Sequence, residues 1–282
     1  MLKFRLELRN VVSIAICLTV TVLNSCSGSS GGGKSAKIKM INEAGSEVFF
    51  TLGGSGTATV DWGDKSEKVT LTLNESGVDF KHTYPSATIR TIIINGENIT
   101  RLRCGSDFTS LDLSKNTELT FLQLRSCYKI ESLDLRKTTA LKYLWLSECY
   151  SIKSLDLSNN SLLTSLKIYA TPLNSLDVSK NVALTELDVS MTYQLKNLDV
   201  SNNTILKSLS VNGNQLSSLD LSKNTVLTYL DCSGNGFTDS ALNSLFGSLH
   251  SNTIQGGIKI YPNPGAYSCD RNIAERKGWR VY

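Results

Sequence analysis

The middle of this chain repeats one short pattern at nearly constant spacing. A Leu-Asp-aliphatic unit returns every 21 or 22 residues, and a Leu-x-aliphatic unit lies midway between successive copies. The first series begins at Leu111, Leu133, Leu155, Leu176, Leu198 and Leu219, and the second at Leu122, Leu144, Leu166, Leu187, Leu209 and Leu230. Apolar pairs at this spacing fit neither one helix face nor a lone hairpin. They predict a solenoid in which each coil packs its leucines against the next coil.

Composition is consistent with a chain that builds a core and argues against one class of partner. Of the 282 residues, 40% are hydrophobic and 19% are charged, which is typical of a globular protein. The net charge is only +4. A balance this close to neutral argues against a nucleic-acid partner.

Residues 1–26 have the pattern of an export signal. A basic start precedes the apolar stretch Val11–Leu23, which is too short for a typical membrane span. The stretch ends in Leu23-Asn24-Ser25-Cys26, which resembles the lipobox of bacterial lipoproteins. That resemblance implies cleavage before Cys26 and a lipid on its thiol, which would hold the chain to a membrane. The alternative is an ordinary cleaved signal with a cysteine nearby. The Gly/Ser-rich residues 27–35 that follow are predicted to be a flexible tether.

Residues 36–98 alternate apolar and polar side chains and are predicted to form strands. Two marks stand out, Val60-Asp61-Trp62-Gly63-Asp64 and Lys81-His82-Thr83-Tyr84-Pro85. Together they resemble the polycystic kidney disease (PKD) type of β-sandwich. The resemblance implies that Trp62 fills the core and that Asp61, Asp64 and His82 are structural rather than metal ligands or catalytic groups.

Residues 99–237 carry the repeats. The run Leu206-x-x-Leu209-x-Val211-x-x-Asn214-x-Leu216 and its counterpart from Leu227 to Phe237 resemble the leucine-rich repeat family. The resemblance implies short parallel strands on a concave face. For the convex face we expect extended, strand-like segments rather than helices, because each half-repeat has only about eleven residues. Residues 238–282 are predicted to close the solenoid with an α/β cap, because the last coil would otherwise expose its leucines. The fold class is therefore mainly β.

Seven cysteines are present, and five lie beyond the predicted signal. Cys104 and Cys232 occupy inward aliphatic positions of the repeats. Cys127 and Cys149 occupy the position that Asn214 and Asn235 hold in later coils. We expect buried thiols that act as small core residues, although an exported chain can oxidise some of them.

The aspartates of the Leu-Asp units form the most regular polar column in the sequence. Carboxylates stacked about 5 Å apart repel one another, so something must offset the repulsion. A row of calcium sites is one interpretation. Hydrogen bonding between coils and charge balance is the other, and it is favoured because the Gly-rich pattern of calcium-binding β-rolls is absent. No metal site and no cofactor are predicted.

The concave face, meaning the outward side chains of the Leu-x-aliphatic strands, is where the repeats stop being regular. Its first coils are aromatic and basic, and its later coils are polar to acidic. The candidate ligand-binding residues are Phe121, Arg125, Tyr143, Trp145, Lys167, Tyr169, Glu186 and Asp188. An outward aromatic cluster is suited to a peptide or a sugar face. The alternative is that these rings only stack on one another across the strands.

The whole order of segments resembles envelope-anchored leucine-rich repeat lipoproteins of Bacteroidetes-type bacteria. That resemblance implies a non-enzymatic, monomeric protein that binds a protein or carbohydrate ligand and reaches the membrane through its lipid. The expected location is the outer membrane, facing either the cell surface or the periplasm. A structural spacer of the envelope is the second hypothesis. A glycan-active enzyme using Glu186 or Asp188 is a remote third, since a shallow solenoid face gives little means to desolvate a carboxylate.

Overall fold

The computed structural model describes residues 35–42, 47–105, 108–252 and 256–282. The predicted signal, Cys26 and residues 27–34 of the predicted tether lie outside the described residues. Residues 35–282 cluster as part of one compact unit. Within the described ranges the chain is mainly β, with two helices that both lie after residue 237.

Two sheets account for the described strands. Five strands form the first sheet: β1 (Ser35–Asn42), β3 (Thr57–Asp61), β4 (Val69–Thr72), β6 (Arg90–Glu97) and β8 (Phe108–Asp112). The second sheet contains β2 (Glu47–Gly54), β5 (Val78–Thr83), β7 (Ile99–Cys104), β9 (Phe121–Arg125), β10 (Tyr143–Ser147), β11 (Ser165–Tyr169), β12 (Glu186–Asp188), β13 (Ser208–Ser210), β14 (Tyr229–Asp231), β15 (Gly256–Lys259) and β16 (Trp279–Val281). The strand orders are β4-β3-β6-β1-β8 and β16-β15-β14-β13-β12-β11-β10-β9-β7-β2-β5.

The strands before residue 98 pack around aromatic side chains. Alternation along β1 buries Ala36, Ile38 and Met40 while the intervening lysines stay exposed. Phe50 lies 5.7 Å from the ring of Trp62 and 5.5 Å from that of Phe80. Trp62 is therefore a core residue, as the sequence predicts. The likeness to a PKD-type domain stays a prediction.

The first coil of the solenoid belongs to both sheets. Strand β7 pairs antiparallel with β2 on one side and parallel with β9 on the other. Strand β8 pairs antiparallel with β1. The amino-terminal strands therefore continue the backbone hydrogen bonding of the repeats instead of only covering their end. One hydrophobic core runs through both parts.

Parallel strands in strict register confirm the leucine-rich repeat solenoid. Leu122 pairs with Leu102 and Leu144, and the same column continues from coil to coil. The column consists of Leu102, Leu122, Leu144, Leu166, Leu187, Leu209, Leu230 and Ile258, and every member is fully buried. The register thus stacks identical apolar side chains, which is what the 21- or 22-residue period requires.

The convex half of each coil is built from two successive turns. In the first coil, the Asn116 N–H donates to Leu113 O and the Leu119 N–H donates to Asn116 O, at 2.9 and 3.2 Å. Strand-like structure, expected throughout this half, is present in the first coil as β8; the later coils show turns instead. The absence of a helical back is confirmed for the described residues 99–105 and 108–237. The half-repeat is too short for a helix to return to the sheet.

Buried asparagines join the convex turns of neighbouring coils. The Asn181 side chain donates through Nδ2 to Leu157 O and Asn160 O, at 3.1 and 2.9 Å. Asn160, Asn203 and Asn224 make the same pair of bonds to the coil before them. Each of these carbonyls also accepts a backbone N–H of its own turn, so the amide adds a second hydrogen bond that links one coil to the next.

A second polar column closes the turn at the other end of each strand. Cys127 and Cys149 are fully buried, and each Sγ lies within hydrogen-bonding distance of carbonyls, including one of an earlier coil. Asn214 and Asn235 donate to carbonyls from the same place in later coils. Asn263 continues this column beyond the last sequence repeat. The described cysteines form no disulfide, and burial raises the pKa of the Cys232 thiol to about 12.

The residue before this column adopts a left-handed conformation in the six coils that contain β9 to β14. Its φ is positive at Ser126, Glu148, Ala170, Met191, Gly213 and Gly234. The turn off each strand requires this conformation, and glycine adopts it without the steric cost that a Cβ carries. Only the last two coils supply glycine.

The carboxyl-terminal cap contains α1 (Asp239–Ser248) and α2 (Asn272–Glu275). Thr238 caps α1 by accepting from the Ala241 N–H, while Leu242, Leu245 and Phe246 are buried against the last coil. Lys277 Nζ donates to carbonyls at the other end of α1, those of Phe246, Gly247 and Leu249. Strands β15 and β16 add two parallel strands to the ladder, so the coil geometry continues past residue 237, where the sequence repeats end.

Replacing Asn203 by alanine should lower the free energy of unfolding by about 2 kcal/mol, because two buried hydrogen bonds between coils, to Val178 O and Asn181 O, are lost. Chemical denaturation followed by circular dichroism measures this. Asn202→Ala is the matched control, since the neighbouring Asn202 is exposed. Equal denaturation midpoints for the two variants would show that the buried asparagine does not stabilise the solenoid.

Candidate functional site

Three rows of outward side chains cross the concave face, one row for each outward position on the strands. In the first row, Arg101, Phe121, Tyr143, Ser165 and Glu186 are adjacent in register. In the second, Arg103, Gln123, Trp145, Lys167 and Asp188 are adjacent. The third row aligns Arg125, Ser147 and Tyr169. All eight candidate binding residues therefore lie on one sheet face, over the four neighbouring strands β9–β12.

Phe121 is the floor of this cluster rather than part of its exposed surface. It is 5% exposed, although it points outward from β9. Its ring lies 5.5 Å from Trp145 and 6.2 Å from Tyr143, measured between centroids. The guanidinium carbons of Arg101 and Arg103 lie 4.4 and 5.2 Å from its centroid. The rings thus contact one another across the strands, and the surface of this face is formed by the groups that cover Phe121.

Trp145 is held from both sides. It packs edge-on against Phe121, and Lys167 Nζ lies 5.1 Å from its ring. Lys167 also forms an ion pair with Glu186 at 2.8 Å, and the Ser165 hydroxyl donates to the other oxygen of Glu186. These contacts fix the orientation of the indole before any partner arrives.

Tyr143 and Tyr169 are the exposed aromatic rings of the predicted site. Each is 43% exposed, and they lie on adjacent strands. The Tyr169 hydroxyl contacts Met191 Sδ at 3.5 Å, and Tyr193 contacts the same sulfur at 3.4 Å from the next turn. Tyr128 and Tyr150 stack at 5.5 Å along the same rim. The aromatic surface therefore extends from the concave face onto the edge of the solenoid.

The acidic members of the predicted site have partners within the chain. Glu186 is engaged by Lys167 and Ser165, as described above. Asp188 accepts from the backbone N–H and the hydroxyl of Ser190. Arg125 is exposed at the end of β9.

The structure adds two basic residues and one further cluster to the binding residues predicted from the sequence. Arg101 and Arg103 belong to the site because their side chains cover Phe121. That contact is visible only once the register of the strands is known. At the far end of the same sheet, Lys259 lies 5.6 Å from the Tyr229 ring. A shallow cavity of about 340 Å³ there is lined by Ser233, Lys259, Tyr261 and Tyr282. The pairing of β15 with β14 brings these residues together, and no sequence repeat marks it.

The aspartate column on the convex side is built into turns. Each carboxylate accepts the N–H of the residue two positions on, at 2.8–3.0 Å, in the aspartates 112, 134, 156, 177, 199 and 220. These bonds lie within one coil, whereas the sequence interpretation places them between coils. The Arg136 side chain holds the pKa of Asp134 at about 2, and hydrogen bonds at Ser158 and Ser179 lower the pKa values of Asp156 and Asp177.

The Asp64–His82 pair is also part of a group of contacts that supports the fold. Asp64 Oδ2 lies 2.8 Å from His82 Nε2, and Ser66 donates to the other carboxylate oxygen. The His82 ring stacks on Trp62 at 4.8 Å, and the Tyr84 hydroxyl donates to Trp62 O. The hydrogen bond from Ser66, followed by that from His82, holds the pKa of Asp64 far below its usual range. Ser66 bonds to the aspartate and not to the histidine, so this group is not arranged as a nucleophile with its base.

The described residues contain neither a cluster of metal-binding side chains nor a helix that could cross a membrane. No three His, Cys, Asp or Glu side chains come close enough together there to hold a metal ion. None of the helices in those ranges has both the length and the apolar content that a membrane crossing requires.

This chain is similar to several proteins of known structure. No protein-family model and no curated protein matches the chain. The functional domain of InlJ from Listeria monocytogenes, described as including a cysteine ladder, is 26% identical with a TM-score of 0.36. The match covers 65% of this chain, which spans about half (48%) of the InlJ chain.

Two internalins of L. monocytogenes strain 4b F2365 are also similar. For InlC2 the identity is 19%, the TM-score 0.49, and the coverage 65% of this chain and 81% of that one. For InlF the identity is 18%, the TM-score 0.26, and the coverage 65% and 86%. Likeness at these values does not extend to function, which must be argued from the residues of the concave face.

Acid should destabilise the fold as the pH falls from about 5 to about 2. The folded-state pKa values of Asp134, Asp156 and Asp177 lie below their ordinary value, so these groups stabilise the fold above that value and lose the effect as they protonate. Asp156→Asn with Asp177→Asn should flatten the dependence of the thermal midpoint on pH, because asparagine keeps the turn acceptor but does not titrate. Glu75→Gln with Glu131→Gln is the control, since both glutamates are exposed outside the column. A pH profile unchanged by the asparagine pair would refute this account.

Proposed function

We propose that this protein is a non-enzymatic binding protein of the bacterial cell envelope, which holds a protein or glycan partner on its concave face. The observation that carries the proposal is the aromatic and basic surface formed by Tyr143, Tyr169, Trp145 and the arginines around Phe121. Tyrosine, tryptophan and arginine are the residues that dominate binding energy in protein interfaces.

The support beneath this surface favours recognition. Leu122, Leu144 and Leu166 lie directly behind it and are fully buried. The backbone of β9–β11 is hydrogen-bonded on both sides. A rigid platform loses little conformational entropy when a partner binds, so more of the contact energy appears as affinity.

Glycan hydrolysis is less consistent with these contacts. A glycosidase needs two carboxyl groups placed on either side of the scissile bond. Glu186 is paired with Lys167 and Asp188 is bonded to Ser190, so both carboxylates already serve the surface itself. We therefore assign them to shaping the binding face.

Attachment to the envelope is proposed from the sequence of residues 1–35. The Leu-Asn-Ser-Cys motif ending at Cys26 supports a lipidated amino terminus, and the Gly/Ser stretch after it supports a tether. The lipid would place the protein at the outer membrane, facing either the cell surface or the periplasm. A monomer is sufficient for the proposed role.

Replacing Cys26 by alanine should abolish lipidation and release the protein from the membrane fraction. Mass spectrometry of the amino-terminal peptide and detergent partitioning measure the two effects. Cys17→Ala is the matched control, because Cys17 lies in the segment predicted to be removed. A native amino terminus without acyl chains would refute the anchor.

Replacing Tyr143 and Tyr169 together by serine should weaken partner binding about tenfold or more, roughly 1.4 kcal/mol. Because both rings are exposed, the thermal midpoint should change little. The full-length protein is screened against an extracellular protein panel and a glycan array, and the partner found is titrated against each variant. Trp145 is less suitable for this test because it is more buried than the two tyrosines and contacts both Phe121 and Lys167 closely.

Tyr267→Ser is the control, since Tyr267 lies in the cap and is 89% exposed. Unchanged affinity in the double variant would exclude the concave face as the binding site. That outcome would favour the spacer hypothesis, in which the long continuous sheet separates partners at the two ends of the molecule.

A further inference from the structure

One corner of the concave face concentrates positive charge. Arg101 and Arg103 lie on β7 with both side chains on the outward face, and Arg125 lies at the end of the neighbouring strand β9. Arg103 and Arg125 are exposed, and Arg101 is half-buried. Three guanidinium groups therefore border the aromatic cluster on the side of the amino-terminal strands.

Phe121 pre-positions two of these groups. Arg101 and Arg103 share its ring, at 4.4 and 5.2 Å from the centroid. Stacking on a ring occupies the flat face of a guanidinium and leaves the N–H groups at its edge available for bidentate bonds to an oxyanion. The buried phenylalanine thus holds the two arginines in fixed places at little further cost when a ligand binds.

The described residues around this corner do not balance its positive charge. Elsewhere on the same sheet, Lys167 pairs with Glu186, Lys259 with Asp231 and Lys81 with Glu47. In the part of the chain that the structure describes, no carboxylate lies within ion-pair distance of Arg101, Arg103 or Arg125. Glu186, Asp231 and Glu47 thus have cationic partners, whereas the three arginines of this corner have no acidic partner among the described residues.

We propose that Arg101, Arg103 and Arg125 form an anion subsite that binds the carboxylates of an acidic polypeptide segment in extended conformation. The inference rests on the proposed function and names the chemistry of its partner. Outward residues two apart on a strand are separated by about 6.6 Å, which is also the spacing of same-side residues in an extended peptide. Aspartate or glutamate at alternate positions of the partner would therefore match Arg101 and Arg103, and this match favours a polypeptide over an acidic polysaccharide.

The test is binding of a short fluorescent peptide with glutamate at alternate positions to the full-length protein, followed by fluorescence anisotropy at low and at raised salt. Arg101→Gln with Arg103→Gln should weaken binding about tenfold or more and reduce its salt dependence. The pair Arg101→Lys with Arg103→Lys should give an intermediate loss, because lysine keeps the charge but not the planar fork. Lys180→Gln with Lys223→Gln removes the same charge from exposed convex positions and should bind normally.

Several results would overturn the subsite. These are equal loss in the Lys180/Lys223 control, equal binding of a peptide with glutamine in place of glutamate, and no binding even at low salt. Tighter binding of polygalacturonate than of the peptide would assign the arginines to an acidic glycan instead. If the double variant loses stability, Arg125→Gln tests the subsite instead, because no ring of the described residues holds the Arg125 side chain in place.

The subsite and the proposed function fail separately. If the Tyr143/Tyr169 variant loses its native partner while the arginine variants retain it, only the anion subsite is wrong. If the tyrosine variant retains the partner and the arginine variants lose the peptide, the arginine corner binds anions but the aromatic binding face is wrong.

Discussion

The structure depends on hydrogen bonding between coils at places where the chain cannot form a sheet. Leucines fill the interior, but each coil also turns in its convex half, and the backbone hydrogen bonds of those turns lie within one coil. The buried asparagines add hydrogen bonds between coils at these turns, as Asn181 does to Leu157 O and Asn160 O. Because successive coils present the same carbonyls in the same place, an asparagine that recurs at the coil period joins each convex turn to the one before it.

The outward side chains of the concave face can vary because the rest of each coil is regular. Side chains on the inner side of each strand are restricted to leucine, isoleucine, valine or cysteine, whereas their outward neighbours vary from Arg101 to Trp145 to Asp188 without disturbing the register. The backbone thus carries the stability and the outward rows carry the chemistry. The same separation explains why the aspartates of the convex turns are constant: each accepts an N–H of its own turn and so belongs to the scaffold.

Much of the fold could be predicted from sequence, since the leucine period identifies the coil and the asparagines identify the turns. The shared first coil could not, because the pairing of β7 with β2 and of β8 with β1 joins segments of unlike pattern. The continuation through β15 was hidden because Ile258 and Asn263 stand outside the repeat spacing. Phe121 was expected to face a ligand, but two arginines from the preceding strand cover it, a contact that depends on three-dimensional register.

The two ends of this molecule are unlike, while the coils between them are interchangeable. The β7–β8 coil is committed to the amino-terminal strands, and the last coil is committed to α1 and β15. A coil between β9 and β14 touches only its two neighbours, so whole coils can be gained or lost there without disturbing either end. Gene duplication can therefore change the length of the solenoid in steps of one coil, about 5 Å each.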